Sequence, residues 1–276
     1  MDVNPGLRFG VVQGRLIQSP AGQLQWFPQD DWESEYYVAS AIGFDYIELI
    51  AERHMNPANP IWTDHGVARI KILAAACCLS MHALCNDYVI DHPMDSDPAV
   101  VGQNLRLLDQ AAELGCEKFV LPLFEASELN RTNLKAFVDP LRVIARAAAK
   151  HRIQVCLETI LPAADLLIVL EELAEDNINV VFDTGNRVAF GHDLPGDIRM
   201  LGGRISHVHI KDKNAANENV LLGTGLVNFL EVFKALGDIN YVGPYTFETQ
   251  RGKYPVKTAE FNMGLCSFFY AEGFER

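Results

Sequence analysis

Residues 118–158 read KFVLPLFEASELNRTNLKAFVDPLRVIARAAAKHRIQVCLE, and this stretch contains the alternation on which the fold depends. Lys118–Leu121 and Gln154–Glu158 have the length and apolar character of buried strands, and Asn133–Lys150 between them has apolar residues at helical spacing. Two neighbouring strands joined through a helix run parallel, because the crossover returns the chain to the end of the sheet where it started. The stretch therefore predicts one strand–helix–strand unit of a parallel sheet.

The same alternation continues in both directions along the chain. Eight strands are predicted, at Phe9–Gln13, Phe44–Leu49, Leu79–Leu84, Lys118–Leu121, Gln154–Glu158, Asn179–Asp183, Ser206–Ile210 and Tyr245–Glu248. Helices are predicted between them, among others at Asp31–Ile42, Ala99–Leu114, Asn133–Lys150 and Asn228–Leu236. Asp31 and Asn228 are the predicted N-caps of their helices, since short polar side chains favour that position.

The connections are unequal at the two ends of the predicted sheet. Helices lead into strands through two or three residues, whereas long segments follow several strands, at 14–30, 52–60, 86–98 and 211–227. This asymmetry is typical of a (β/α)8 barrel, whose active site lies at the C-terminal ends of the strands. No linker, low-complexity run or charge block divides the chain. We therefore predict an α/β fold, a single (β/α)8 TIM barrel in which residues 1–276 form one domain.

Charge and composition exclude several classes of function. The chain has 36 acidic and 23 basic residues and a net charge of −13, which disfavours nucleic acid and anionic membranes as partners. Residues 1–10 lack the charged and apolar segments of a signal peptide, which predicts a cytoplasmic protein. The six cysteines form no Cys-x-x-Cys pair and are expected to be reduced. The oligomeric state stays open, with a homo-oligomer as one option.

The last four predicted strands each end in a side chain that can bind a metal, namely Glu158, Asp183, His209 and Glu248. The residues just before them, on the opposite face, are all apolar: Leu157, Phe182, Val208 and Phe247. The four polar side chains therefore point to one side of the sheet. Three carboxylates at one barrel mouth repel one another unless a cation neutralises them. We predict one divalent metal ion bound by the four residues, with Mn²⁺, Mg²⁺, Co²⁺ and Zn²⁺ not distinguished.

Three other polar residues on the predicted strands are candidates for supporting or substrate-binding roles. His207 lies one step deeper than His209 and is expected to support the ligands without binding the ion. His82 and Glu48, on the third and second strands, are interpreted as substrate contacts or as structural residues.

Three cations are also predicted substrate contacts. Arg15 begins the longest loop and is a predicted substrate contact. Lys211 and Arg251 follow strand ends and are candidate phosphate anchors, with solvated surface as the alternative.

The motifs around these residues resemble the xylose isomerase-like TIM barrels. They are Ile-Glu48-Leu, Cys-Leu-Glu158-Thr, Phe-Asp183-Thr-Gly-Asn186, His207-Val-His209-Ile-Lys211-Asp212, Gly223-Thr-Gly225 and Thr-Phe-Glu248, in order over nearly the whole chain. This superfamily holds sugar and sugar-phosphate isomerases and epimerases, inosose dehydratase, hydroxypyruvate isomerase and abasic-site nucleases of the endonuclease IV type. The resemblance implies that Glu158, Asp183, His209 and Glu248 bind the metal, in agreement with the strand-end argument.

Two departures from the family pattern bear on the substrate. Asn186 stands where tagatose 3-epimerase-like members and the nucleases have a histidine, and we retain Asn186 as a predicted substrate contact. The Asp-x-His pair that the nucleases place after the seventh strand is replaced here by Lys211-Asp212-Lys213-Asn214. Without these ligands a trinuclear zinc site is not expected. Together with the negative charge, this argues against DNA repair.

Proton transfer beside a metal is the chemistry that these residues favour. Epimerising or isomerising a ketose requires that a proton leave a carbon next to the carbonyl and that one return. Glu158 and Glu248 are the predicted general base and acid, and two groups acting from opposite faces favour an epimerase. We therefore predict a metal-dependent isomerase or epimerase of a small-molecule sugar or sugar phosphate. The alternatives are a cyclitol or keto-sugar dehydratase of the same fold and, less favoured, an abasic-site endonuclease or a non-catalytic sugar-binding protein.

Overall fold

A computed structural model describes residues 7–20 and 23–274 of the chain. Its strands are β1 (Phe9–Val12), β2 (Tyr46–Ala51), β3 (Ala83–Asn86), β4 (Lys118–Pro122), β5 (Gln154–Glu158), β6 (Ile178–Asp183), β7 (Ile205–Ile210) and β8 (Tyr245–Phe247). Its helices are α1 (Trp32–Ile42), α2 (Asp64–Ala76), α3 (Tyr88–Asp91), α4 (Pro98–Leu114), α5 (Leu134–Lys150), α6 (Ala163–Leu173), α7 (Thr184–Ala189), α8 (Leu194–Leu201), α9 (Phe229–Asp238) and α10 (Pro255–Gly273). The signal-peptide prediction for residues 1–6 and the outer limits of the predicted domain lie outside the described residues.

The eight strands form one closed barrel in the order β1 to β8, with helices between them, and this confirms the predicted fold class. Contacts along the chain group it into two compact units. The first unit comprises Met1–Tyr46 and Phe182–Arg276, and the second comprises Ile47–Val181. Because β2 and β6 each run across a unit boundary, the units share strands. A single domain over the whole chain stays a prediction.

The strands of the second unit pair in parallel, each with the next along the chain, from β2 to β6. The paired residues include Leu49 with Leu84, Ala83 with Lys118, Pro122 with Glu158 and Leu157 with Val180. Helix α4 lies next to α2 and α5. The side chain of Asp97 caps α4 by accepting the N–H of Ala99, and Gly115 ends it at a φ of 78°, in the left-handed region that glycine favours.

In the first unit, β8 pairs in parallel with β7 on one side and with β1 on the other. Phe247 packs on Phe9 and Phe44, with ring centroids 5.1 and 5.9 Å apart. The side chain of Phe247 therefore lies in the buried core, among other aromatic rings. Thr246, the neighbour of Phe247, points to the opposite side, as the predicted alternation requires.

The structure corrects the boundaries of two predicted strands. β3 begins at Ala83 and not at Leu79, because Leu79 donates a hydrogen bond back to the carbonyl of Ala74 and closes α2. β2 begins at Tyr46 and not at Phe44, since Phe44 donates in the same way to Ala39 and closes α1. In both places an apolar residue that looks like the start of a strand ends the preceding helix.

Both predicted N-cap residues lie at the N-cap positions of their helices, but only one caps its helix through the side chain. Asn228 accepts the N–H of Glu231 at 3.3 Å and caps α9. Asp31 lies at the predicted N-cap position of α1, but its side chain makes no capping hydrogen bond there.

In the described part of the chain, no helix combines the length and the apolar character needed to span a membrane.

Candidate active site

The C-terminal ends of the strands carry the predicted metal ligands. Asp183 is the last residue of β6, His209 is the residue before the end of β7, and Glu248 directly follows β8, all in the first unit. Glu158 is the last residue of β5, in the second unit. All four side chains are buried, although carboxylates are rarely buried without a partner. Glu158 and Asp183 therefore end their strands as predicted, whereas His209 and Glu248 lie one residue before and one residue after a strand end.

Asp183 divides its two carboxylate oxygens between the fold and the site. Oδ1 accepts the backbone N–H of Asn186 at 2.6 Å and so caps α7. Oδ2 lies 3.0 Å from Nζ of Lys211 and 4.0 Å from Nδ1 of His209. The cap fixes the side chain, and one oxygen is left facing the other polar groups.

Glu248 is arranged in a similar way. Its Oε1 lies 3.3 Å from Nη2 of Arg15, and its Oε2 lies 2.7 Å from Nζ of Lys211 and 3.3 Å from Nδ1 of His209. Burial by itself raises the pKa of Glu248, but the Lys211 ammonium, the hydrogen bond from His209 and the Arg15 guanidinium together hold it well below its usual value. Glu248 is therefore ionised at neutral pH.

Asp183, His209 and Glu248 form a group that can bind a metal ion. Each offers one ligand atom, and these atoms lie within 4.8 Å of one another. Two carboxylate oxygens and one imidazole nitrogen are a donor set that divalent ions such as Mn²⁺ and Zn²⁺ accept. Because the carboxylates are buried and close together, positive charge stabilises the arrangement, and the Lys211 ammonium supplies part of it.

Glu158 lies in the second unit at the end of the strand next to β6. The residue before it, Leu157, pairs with Val180 of β6. The carbonyl of Glu158 accepts the N–H of Leu123 at 2.9 Å, which holds its backbone to the end of β4. Its participation in the metal site stays a prediction.

His207 forms a hydrogen-bonded chain with two other buried residues. Its Nε2 lies 3.2 Å from Oγ1 of Thr246, which in turn lies 2.5 Å from the hydroxyl of Tyr46. The ring of His207 is nearly perpendicular to that of His209, with centroids 5.0 Å apart. His207 therefore contacts the candidate ligand from one step deeper on the same face, where the sequence placed it.

The two predicted phosphate anchors are buried, which excludes the alternative that they are solvated surface residues. The ammonium of Lys211 contacts Asp183 and Glu248, as described above. The guanidinium of Arg251 donates from Nε to the carbonyl of Gly14 at 2.7 Å and from Nη1 to the carbonyls of Gln23 and Leu24. Both cations thus contact protein groups, and a phosphate contact by either one stays a prediction.

The remaining predicted substrate contacts are placed as follows. Asn186 lies in the first turn of α7, directly after the strand end of Asp183. Glu48 is fully buried in the middle of β2, whereas the sequence placed it near the end of that strand.

His82 also lies away from its expected position. It precedes β3, and its carbonyl accepts the N–H groups of Glu117 and Lys118. The sequence predicted His82 inside the third strand, between Leu79 and Leu84, whereas the structure places it on the N-terminal side of β3.

Sequence reasoning missed two acidic residues that organise the loops around the site. Asp212 accepts the N–H groups of Gly223, Gly225 and Val227, which explains the Gly-Thr-Gly motif as a loop held by one carboxylate. Glu35 lies on the buried face of α1 together with Ala39, and this spacing of four residues was the available signal.

A family model described as the xylose isomerase-like TIM barrel matches residues 36–264. Among curated proteins, the putative L-ribulose-5-phosphate 3-epimerase SgbU of Escherichia coli strain K12 is 24% identical over 257 residues, which span 82% of this chain and 86% of that protein. The L-ribulose-5-phosphate 3-epimerase UlaE of Escherichia coli strain ATCC 8739 is 24% identical over 250 residues, 83% of each chain.

Solved structures share the fold at low sequence identity. An L-ribulose 3-epimerase superposes with a TM-score of 0.78 and 20% identity, covering 97% of this chain and 95% of that one. The D-psicose 3-epimerase of Clostridium cellulolyticum H10 superposes with a TM-score of 0.76 and 16% identity, covering 96% and 99%. In each comparison the shared fold covers nearly the whole of this chain and of the matched chain.

Proposed function

The chain belongs to the xylose isomerase-like TIM barrel family, and from this membership we propose that it is a divalent-metal-dependent epimerase of a ketose or ketose phosphate. The observation that carries the proposal is the convergence of Asp183, His209 and Glu248, three buried ligand groups, at the C-terminal ends of β6, β7 and β8. The names of two relatives described above agree, because SgbU is called a putative L-ribulose-5-phosphate 3-epimerase and UlaE an L-ribulose-5-phosphate 3-epimerase.

We propose that Glu158, Asp183, His209 and Glu248 hold the metal ion. The donor chemistry of the three residues in the first unit supports this, and Glu158 ends the strand that pairs with β6. When bound, a divalent ion polarises the carbonyl and the adjacent hydroxyl of a ketose, which makes the neighbouring C–H more acidic. The metal itself is not specified by this donor set.

The two glutamates carry the proton transfer in this proposal. Glu248 is ionised at neutral pH and is held between Arg15 on one oxygen and Lys211 with His209 on the other. Glu158 is the second carboxylate. It ends β5, and β6 and β7 come between β5 and β8 in the strand order. One glutamate removes the proton from C3, and the other returns a proton from the opposite face of the enediolate.

The names of the relatives and the number of proposed acid–base groups support C3 as the position of reaction. The curated relatives and the two solved structures are all named as 3-epimerases, of phosphorylated and of free ketoses. An aldose–ketose isomerase can work with one base, whereas inversion at C3 needs a group on each face. Arg15, Lys211, Arg251 and Asn186 are the proposed contacts for the sugar hydroxyls or a phosphate.

Deuterium exchange tests the proposed reaction. The protein is stripped with a chelator, reloaded with Mn²⁺ and incubated in D₂O with ketopentoses, ketohexoses and their phosphates. Deuterium at C3 together with inversion supports the proposal, whereas deuterium at C1 or C2 identifies an isomerase and loss of water identifies a dehydratase. No exchange with any sugar would contradict an enzymatic function on these substrates.

Amide variants test the role of the glutamates. Glu158→Gln and Glu248→Gln keep an oxygen ligand but remove the basic group, so kcat should fall about 10²- to 10⁴-fold, beyond what lost metal explains. Metal content is measured in the same samples. The rate of deuterium exchange at C3 is also measured separately for each of the two epimers as substrate. The two variants should lose exchange with different epimers, because each glutamate acts on one face of the enediolate. If saturating Mn²⁺ restored full turnover to both variants, the residues would be ligands only.

A further inference from the structure

A buried glutamate outside the proposed ligand set holds the segment that carries Arg15. Glu35 lies on α1 and has no exposed surface. Its Oε2 accepts the backbone N–H of Gly14 at 2.7 Å, and its Oε1 accepts that of Leu16 at 3.0 Å. Because Gly14 and Leu16 flank Arg15, both hydrogen bonds act on the backbone that positions this arginine.

The same segment is also held from its other side. The carbonyl of Gly14 accepts a hydrogen bond from Nε of Arg251 at 2.7 Å. Gly14 has a φ of 84°, in the left-handed region, and a Cβ at this position would lie 2.0 Å from the carbonyl oxygen of Trp26. The backbone before Arg15 is therefore held in a conformation that favours glycine at position 14.

Arg15 transmits this constraint to the proposed acid–base residue. The Arg15 and Glu248 side chains are only 2% and 9% exposed, and Nη2 of Arg15 lies 3.3 Å from Oε1 of Glu248. The other oxygen of Glu248 faces Lys211 and His209. The direction of the Glu248 carboxylate therefore depends on where the guanidinium of Arg15 lies.

We propose that Glu35 is a positioning residue for the reaction: it fixes the backbone on both sides of Arg15 and, through Arg15, the orientation of the Glu248 carboxylate. This inference rests on the proposed function, in which Glu248 transfers a proton. Complete burial raises the pKa of Glu35 to about 7 despite its two backbone hydrogen bonds. An apolar side chain would fill this face of α1 without that electrostatic cost, so packing alone does not explain the carboxylate.

A double-mutant cycle tests whether Glu35 acts through Arg15. Glu35→Gln offers one acceptor oxygen in place of two, so one of the flanking N–H groups loses its partner. We expect kcat at pH 8 to fall about 10- to 100-fold with little change in KM, as for a displaced catalytic group. In the Arg15→Ala background the same change should have almost no further effect, because the residue that Glu35 positions is already gone.

A control variant on α1 and a hydrogen-exchange measurement distinguish a positioning role of Glu35 from a general loss of stability. Glu33→Gln, a half-buried glutamate on the same helix, is the matched control and should leave kcat within about twofold of the wild type. Hydrogen exchange of the peptide 9–20 should accelerate in Glu35→Gln and stay slow in the control. If Glu35→Gln does not fold, Glu35→Asp, which retains the charge but is shorter, takes its place with the same expected directions.

The outcomes separate this inference from the proposed function. Losses of kcat that multiply in the double variant, or an unchanged kcat in Glu35→Gln, would overturn the positioning role. Unchanged hydrogen exchange at residues 9–20 would overturn it as well. A wild-type protein that exchanges no deuterium with any ketose would instead refute the epimerase, while the hydrogen-exchange comparison would still show whether Glu35 holds the segment.

Discussion

Asp183 and Glu248 each use their two carboxylate oxygens for different contacts. One oxygen of Asp183 caps α7 while the other faces Lys211, and one oxygen of Glu248 contacts Arg15 while the other faces Lys211 and His209. Each carboxylate is therefore held in a fixed orientation before any substrate binds. Such preorganisation lowers the cost of placing a reacting group.

The two histidines of β7 should behave differently when they are removed. His209→Ala deletes the imidazole that lies 3.3 Å from Glu248, so we expect loss of the bound metal together with activity. His207→Ala removes a residue that hydrogen bonds with Thr246, and we expect metal affinity to fall only about 10- to 100-fold. Metal analysis and Mn²⁺ titration of both purified variants check this. Equal and complete loss of metal in both would contradict the assignment of His209 as the ligand.

Glu35 should make stability depend on pH in an unusual direction for a carboxylate. Its pKa is raised to about 7 in the folded chain, mainly by burial, from 4.5. Between these values the unfolded chain releases the proton and the folded chain retains it, so stability falls as pH rises through this window.

The Gln variant isolates this contribution, since Gln has no charge at any pH. The difference in unfolding free energy, wild type minus Glu35→Gln, should decrease between pH 4.5 and 7 by on the order of 3 kcal/mol. Urea unfolding of both proteins across this range measures it. A difference that is constant with pH would show that the pKa of Glu35 is not raised.

At the scale of elements, one carboxylate shapes the long segment between β7 and α9. Asp212 accepts hydrogen bonds from Gly223, Gly225 and Val227 at 3.0, 2.8 and 3.1 Å, and these bonds gather residues 213–227 around a single side chain. The segment then enters α9 through the cap at Asn228. Asp212 follows Lys211 directly, so the fold of this loop also determines the backbone position of the lysine.

Substitution of Gly225 should loosen this segment. A Cβ at Gly225 would lie 2.3 Å from Oδ1 of Asp212 and 2.5 Å from the carbonyl of Lys213, so alanine must push the backbone away from the carboxylate. We expect Gly225→Ala to destabilise the protein by about 1–3 kcal/mol, as overpacking does. Gly102→Ala is the control, because a Cβ there meets no atom within 4 Å in α4 and should stabilise slightly. Thermal unfolding compares the two, and equal melting temperatures would contradict the role of Asp212.

At the scale of the whole molecule, the barrel brings together residues that are far apart in the chain. Arg15 and Glu248 are separated by 233 positions, and Arg251 and Gly14 by 237. Both contacts join the segment after β1 to the segment after β8, and these two strands pair directly. The closure of the sheet between its first and last strands therefore assembles part of the candidate site.

Metal removal should lower the stability of the entire protein if the proposed site is real. An ion that binds only the folded state at 100 times its Kd adds about 2.7 kcal/mol, or roughly 5–10 °C in Tm for a chain of this size. Differential scanning fluorimetry with a chelator and with Mn²⁺ measures the shift. The control is His209→Ala, which removes a proposed ligand but leaves the net charge of −13 unchanged, because histidine is counted as neutral. It therefore distinguishes metal bound at the site from general screening of the protein's negative charge by the ion. An equal shift in this variant would contradict specific binding.

The alternation of strands and helices was predictable from the sequence alone. So were the barrel and the polar residues at or next to the ends of β5 to β8. Strand side chains alternate every two residues, so Val208 and Phe247 had to face away from His209 and Glu248. Contacts of the long side chains were not predictable. Lys211 and Arg251 looked like free cations, yet one binds two carboxylates and the other binds carbonyls of the segment after β1. Glu35 was overlooked because its partners are backbone N–H groups about twenty residues earlier. Periodicity specifies the face on which a side chain lies, but only the folded chain determines which groups meet on that face.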